Sequence, residues 1–355
     1  MTHSDPDRTK TDRTKTDRTK SDPTHADPPH ADPTRSDLTH PAPTGAVGGA
    51  RTPRIVSVKP IALDAPDRGE DLRVRVTAPV SGRDLPVIVF SHGFGSSADG
   101  YGPLTDYWAA HGFVVVQPTH PDSRTVGLPA DDPRTPRIWR HRVADVKRVL
   151  DRLDLLEAAV PGLGGRVDRS RVAAAGHSFG GQTAGNLLGL RVLDPDSGTG
   201  EDLSDPRVRA GVLLATAGRG GADLSAFAAE NYPFMNADFT HMAAPALVVA
   251  GDRDDSPMTV RGPDWLADPY VLSPGDKSLL TLFGAEHSLG GIPGYEARET
   301  TDEHPGRLAL IQRATTAYLR HTLGLDDSGW TAVREELADG ASPLGRIESK
   351  SPSRP

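Results

Sequence analysis

The 355-residue chain is 36% hydrophobic and 25% charged, carries a formal net charge of -8 and contains no cysteine. The acidic balance excludes nucleic acid as the main partner, and the missing cysteine excludes disulfides, thiolate metal sites and cysteine nucleophiles. No apolar run reaches the roughly 20 residues of a membrane span, and the N-terminus shows no basic and then apolar secretory pattern. A cytoplasmic protein with no transmembrane segment is therefore expected.

In chain order, residues 1–50 are low-complexity, with Asp at every fifth position from Asp7 to Asp37 and almost no apolar side chains. Such a stretch cannot offset its ordering entropy by burial, so a disordered tail is expected. His25, His30 and His40 lie too far apart in it to suggest a metal site. The folded region is expected over residues 51–325. Residues 55–63 and 72–79 read as strands, and Val74 and Val76 alternate with Arg73 and Arg75 as on a half-exposed antiparallel edge. Continuous apolar runs at 86–91, 113–117, 209–216, 245–250 and 278–283 read as buried parallel strands.

Helical patterns separate these runs. From Trp139, the residues Val143, Val146, Leu150 and Leu153 recur at three- and four-residue steps with Arg and Asp between them, which reads as an amphipathic helix on the sheet. Residues 182–190 and 308–323 read as two more helices. Strands alternating with helices imply an α/β fold, a mostly parallel sheet covered on both faces with an antiparallel N-terminal edge. Two stretches interrupt it: an acidic Gly-rich loop at 193–206, and residues 217–243, where Phe227, Tyr232, Phe234, Met235 and Phe239 suit either a surface excursion or a small cap. Residues 326–355 read as a polar C-terminal tail, with packing only around Trp330 and Val333.

The chemistry centres on Gly176-His-Ser-Phe-Gly-Gly181, which follows an apolar run and precedes a helix. A turn that tight presses backbone against backbone, so Gly176 and Gly180 are needed for space, and Ser178 is expected at its apex as the nucleophile. A hydroxyl needs a base to take its proton. His177 is adjacent to the serine and points away. His287, in the turn after the 278–283 strand, is the expected base, with His304 and His321 as rivals.

After the 245–250 strand come Asp252, Asp254 and Asp255. Asp254 is the expected acid, because a strand–elbow–helix fold of this order usually places it three or four residues past the strand end, while Asp252 suits a turn cap. The oxyanion is expected to meet the amides of Phe179, which follows the nucleophile, and Phe94, in the His92-Gly-Phe-Gly95 loop. The substrate is then a small-molecule ester. A lactonase, amidase, thioesterase or acyltransferase would use the same residues. A non-catalytic ligand-binding module is disfavoured, since none of the three groups is missing.

On Phe90-Ser-His-Gly-Phe-Gly95, Gly176-His-Ser-Phe-Gly-Gly181, Gly251-Asp-Arg-Asp254 and Gly284-Ala-Glu-His287, the chain resembles the α/β-hydrolase superfamily. Within it, the likeness is to the platelet-activating-factor acetylhydrolase and chlorophyllase-like branch, over roughly residues 55 to 325. The resemblance implies a serine ester hydrolase needing no metal and no organic cofactor. One departure stands out. The acetylhydrolases carry their acid after the strand that follows the elbow helix, and here that strand ends in Leu214-Ala-Thr-Ala217, with no carboxylate. Placing the acid at Asp254 is instead similar to cutinase-like polyester hydrolases.

Overall fold

The chain divides into Met1–Ala50 and Arg51–Pro355. The computed structural model describes residues 54–129, 132–294, 302–338 and 342–351. The low-complexity stretch at 1–50 lies outside them.

Nine strands form one sheet. In chain order they are β1 (Ile55–Leu63), β2 (Leu72–Pro79), β3 (Leu85–Ser91), β4 (Val114–Pro118), β5 (Val167–His177), β7 (Val208–Leu214), β9 (Ala246–Gly251), β10 (Lys277–Leu282) and β11 (Gly345–Lys350). Their spatial order is β1-β2-β4-β3-β5-β7-β9-β10-β11. The pairs from β4 through β10 are parallel, and β1–β2 and β2–β4 are antiparallel. This is the α/β-hydrolase fold, with an antiparallel N-terminal edge. The edge strand is β1, and the half-exposed reading of 72–79 is corrected, since β2 is buried except at Arg73, and Arg75 is covered where it meets Asp106.

The central strands read as continuous apolar runs because both faces of the sheet are covered. On one face Val87, Val89, Val172, Ala174 and Val248 pack under α2 (Ile138–Asp151), α3 (Leu153–Ala159) and α4 (Phe179–Leu187). On the other, Ile88, Phe90, Ala173, Val212 and Val249 pack under α1 (Gly102–Ala110) and α7 (Pro305–Thr322). The helix α2 departs from its expected pattern. Arg142 and Asp145, which read as solvent-facing between the valines, are 0% and 1% exposed, because each meets an opposite charge inside the protein.

The stretch at 217–243 carries α5 (Ala226–Asn231) and β8 (Ala237–Asp238), which pairs antiparallel with β6 (Arg191–Val192). Phe234 and Phe239 are buried while Phe227 is exposed, and the buried pair joins the same apolar core as the sheet and α4 instead of forming a base of its own. A short helix, α6 (Asp268–Val271), follows β9.

The reading of 326–355 as a polar tail is corrected. The helix α8 (Ser328–Leu337) buries Trp330, Val333 and Leu337, and β11 pairs antiparallel with β10 as the far edge of the sheet. Burial here falls on a few spaced side chains, and an edge strand with one wet face keeps its charges, so no apolar run marks either element. Trp330 packs edge-on against Tyr318 with ring centroids 5.1 Å apart. Trp330→Ala is expected to cost about 3–5 kcal/mol, a fall in Tm of roughly 10 °C by thermal melt; an unchanged Tm would show that α8 does not brace the fold.

Candidate active site

The sharp turn at Ser178 is set by glycine. A Cβ on Gly176 would lie 2.1 Å from the Gly180 carbonyl oxygen, and one on Gly180 would lie 2.0 Å from that of Ser91. No other residue fits either position. The close approach forces Ser178 to φ 56 and ψ -122, a region non-glycine residues seldom occupy. Its amide is held by the Leu214 carbonyl at 2.8 Å. The serine thus stands where β5 ends and α4 begins, beside amides that an α-helix leaves unpaired at its N-terminus and that favour negative charge.

Asp254 and His287 lie in the loops that follow β9 and β10, two adjacent strands of the same sheet. The His287 Nδ1 lies 2.8 Å from Asp254 Oδ2. The carboxylate is 4% exposed and the imidazole 49%, so a buried charge orients a ring that reaches the open cavity. Of the three candidate acids, Asp254 is the one in contact with the histidine. Asp252 accepts the Gly284 amide at 2.6 Å and so caps a turn, and exposed Asp255 borders the cavity. Among the described residues the Ser178 hydroxyl forms no hydrogen bond with His287. Such contacts tighten when substrate enters.

The other histidines near the serine are occupied. Burial pushes His92 and His177 down to about 3 and holds His120 well below the usual range. A ring that stays neutral and has both nitrogens engaged cannot accept a proton from serine. His304 caps α7 through the Arg307 amide, and His321 lies against Asp327. Neither borders the cavity.

The loop carrying Phe94 is clamped from below by Arg142. The guanidinium pairs with Asp122 at 2.8 and 2.6 Å and donates to the carbonyls of His92 at 2.7 Å and Gly93 at 3.3 Å. Asp122 in turn accepts the Gly95 amide at 3.2 Å. Since a trans peptide points its C=O and N–H in opposite directions, holding the Gly93 carbonyl at Arg142 turns the Phe94 N–H the other way. Among the described residues no acceptor occupies the amide of Phe94 or Phe179. Below this sits a second buried pair: Asp145 contacts Arg68 at 3.1 Å and His120 at 2.9 Å, and His120 reaches Ser91 Oγ at 2.9 Å.

Ser178, Asp254 and His287 border one cavity of about 390 Å³. Phe94, Phe179, Tyr232, Phe234, Met235, Met258, Trp265 and Leu266 supply its apolar wall, and among the described residues no lysine or arginine borders it. Phe179 and Phe234 stack at 4.9 Å. The 217–243 stretch therefore forms part of the wall through Tyr232, Phe234 and Met235. Met258, Trp265 and Leu266 carried no sequence signal, because apolar residues in a loop look alike whether they line a pocket or a core. Arg142 and Asp122 carry no signal in the sequence, because a charged residue in a helix or loop reads as solvated.

Among the described residues, no group of three or more His, Asp or Glu side chains is placed to hold a metal ion, and no helix is long and apolar enough to cross a membrane. Residues 54–195 match the family model described as chlorophyllase. Platelet-activating factor acetylhydrolase of Canis lupus familiaris is 23% identical over 315 residues, covering 74% of this chain and 63% of that protein. The chain thus spans less than two thirds of the length of this curated relative. Both likenesses fall in the branch to which the sequence motifs point.

Proposed function

Taking the chain as an α/β-hydrolase of the chlorophyllase and platelet-activating-factor-acetylhydrolase-like branch, we propose that it hydrolyses carboxylic esters through an acyl-enzyme on Ser178. The observation that carries this is the 2.8 Å contact of Asp254 with His287 on the wall of the cavity that Ser178 borders. The buried carboxylate accepts the Nδ1–H of His287, which leaves Nε2 bare to take the Ser178 proton as Oγ attacks the ester carbonyl. The developing oxyanion meets the amides of Phe94 and Phe179, each worth about 3 kcal/mol of barrier. Nε2–H then protonates the leaving alcohol, and water repeats the sequence to release the acid.

The wall favours neutral esters with an apolar acyl or aryl part. It is lined by aromatic and thioether side chains, and among the described residues no lysine or arginine borders it to meet a phosphate or carboxylate. A panel of p-nitrophenyl esters of graded acyl length tests this on the purified chain. Turnover is expected for neutral acyl groups, with an ester of a free dicarboxylic acid poorer than its neutral counterpart of equal length. Rates no higher than in buffer across the panel would contradict the reading.

A further inference from the structure

Tyr101 and His177 form a buried chain of polar contacts that touches all three segments around Ser178. The Gly93 amide donates to the Tyr101 hydroxyl at 3.0 Å. That hydroxyl lies 2.9 Å from His177 Nδ1, and His177 Nε2 lies 2.7 Å from the backbone carbonyl oxygen of His287. Ser96 also meets the Tyr101 hydroxyl, and the protons of the chain are placed by what each partner can donate or accept. A carbonyl only accepts, so His177 Nε2 carries the hydrogen. The neutral ring then has a bare Nδ1, which takes the Tyr101 proton and leaves the phenol oxygen free to accept from Gly93. Burial stabilises this state, pushing His177 down to about 3 and Tyr101 up to about 12, so neither ionises near neutral pH.

The backbone around Tyr101 is committed to the same end. It sits at φ 66, a left-handed conformation costly for a residue with a Cβ, and its amide donates to Pro293 at 3.0 Å, in the segment that follows His287. Its ring is 2% exposed and packs 4.8 Å from Phe90. A Cβ on Gly93 would lie 2.8 Å from the phenol oxygen, so that position stays glycine to let the contact form.

We propose that Tyr101 is a positioning residue that, through His177, holds the His287 turn and the Gly93–Phe94 peptide in register with Ser178. The proposal rests on the reading of Ser178 and His287 as nucleophile and base. Without the phenol, the Gly93 amide and His177 Nδ1 both lose their partner, and the imidazole is free to turn away from the His287 carbonyl. The base and the oxyanion amide then lose their common anchor. Because neither Tyr101 nor His177 borders the cavity, and the chain holds the wall residues His287 and Phe94 only through backbone, the damage falls on kcat and leaves KM nearly unchanged.

The test is kcat and KM for p-nitrophenyl butyrate, with Tm, in the wild type, Tyr101→Phe, His177→Leu, His177→Gln and the Tyr101→Phe/His177→Leu pair. Tyr101→Phe and His177→Leu are each expected to lower kcat by about 10- to 100-fold with KM within about threefold. The pair should be no worse than its worse member, as for residues acting as one unit. His177→Gln offers an acceptor and a donor on one amide at similar reach, and is expected to keep kcat within about fivefold of wild type. A folded Tyr101→Phe protein with wild-type kcat, a loss confined to KM, or His177→Gln as impaired as His177→Leu would overturn the proposal. If Tyr101→Phe does not fold, the comparison of the two His177 variants decides by the same criterion. A wild type without any esterase activity would remove the function reading itself, whereas an active wild type matched by Tyr101→Phe removes only the positioning role.

Discussion

Ser178→Ala and His287→Ala are each expected to lower kcat for a neutral ester by about 10⁶-fold, and the double substitution by little more than either alone. The physical reason is that the two groups perform one event. The hydroxyl is not a nucleophile until the imidazole takes its proton, and the imidazole has nothing to activate without the hydroxyl. Neither side chain supports the fold to a matching degree. His287 is 49% exposed, and Ser178 is held through its backbone amide by Leu214. Tm should therefore change little while turnover collapses. Initial rates and thermal melts on the same preparations check both parts. Losses that multiply in the double variant would show two independent contributions and a different mechanism.

The second large effect concerns the acid. Asp254→Asn is expected to lower kcat by about 10⁴-fold. The substitution keeps shape and volume but places an N–H₂ group opposite His287 Nδ1, where a carboxylate oxygen stood at 2.8 Å. The ring must then present a bare Nδ1 and carry its proton on Nε2, the nitrogen that has to accept from serine. It also loses the buried charge that stabilises the imidazolium. Asp252→Asn retains a carbonyl oxygen for the Gly284 amide, and Asp255 is exposed, so both changes are expected to stay within about tenfold of wild type. Steady-state kinetics of the three variants separate the carboxylates. A larger loss in the Asp252 variant than in the Asp254 variant would move the acid.

How much of this was legible beforehand depends on what each residue's neighbours demand. The elbow is legible because its constraint acts on backbone: Gly176 and Gly180 leave no space for a Cβ, and that requirement is written as glycine at fixed spacing. The sheet is legible because strands buried on both faces have no polar positions to spare. In the sequence only spacing separates Asp252, Asp254 and Asp255; in space it is Asp254 that reaches the imidazole.

The supporting residues are hidden for the opposite reason. Arg142 is 0% exposed, yet the sequence pattern around it is that of any charged helix face, because its compensation comes from Asp122 across space. Tyr101 and His177 likewise matter through partners that lie 76 residues apart. In the C-terminal region the helix and strand pack through isolated side chains, so composition resembled a tail where the structure has the last edge of the sheet.

The central claim is that Ser178 is the activated nucleophile of an ester hydrolase. A fluorophosphonate probe tests it directly, since an activated serine oxygen displaces fluoride from phosphorus and keeps the phosphonyl group. Incubation of the folded 355-residue chain, followed by peptide mass spectrometry, is expected to place one adduct on Ser178, to lose it in His287→Ala, and to lose it after heat denaturation. A folded protein that is active on esters yet carries no adduct at Ser178, or carries it on another serine, would contradict the account.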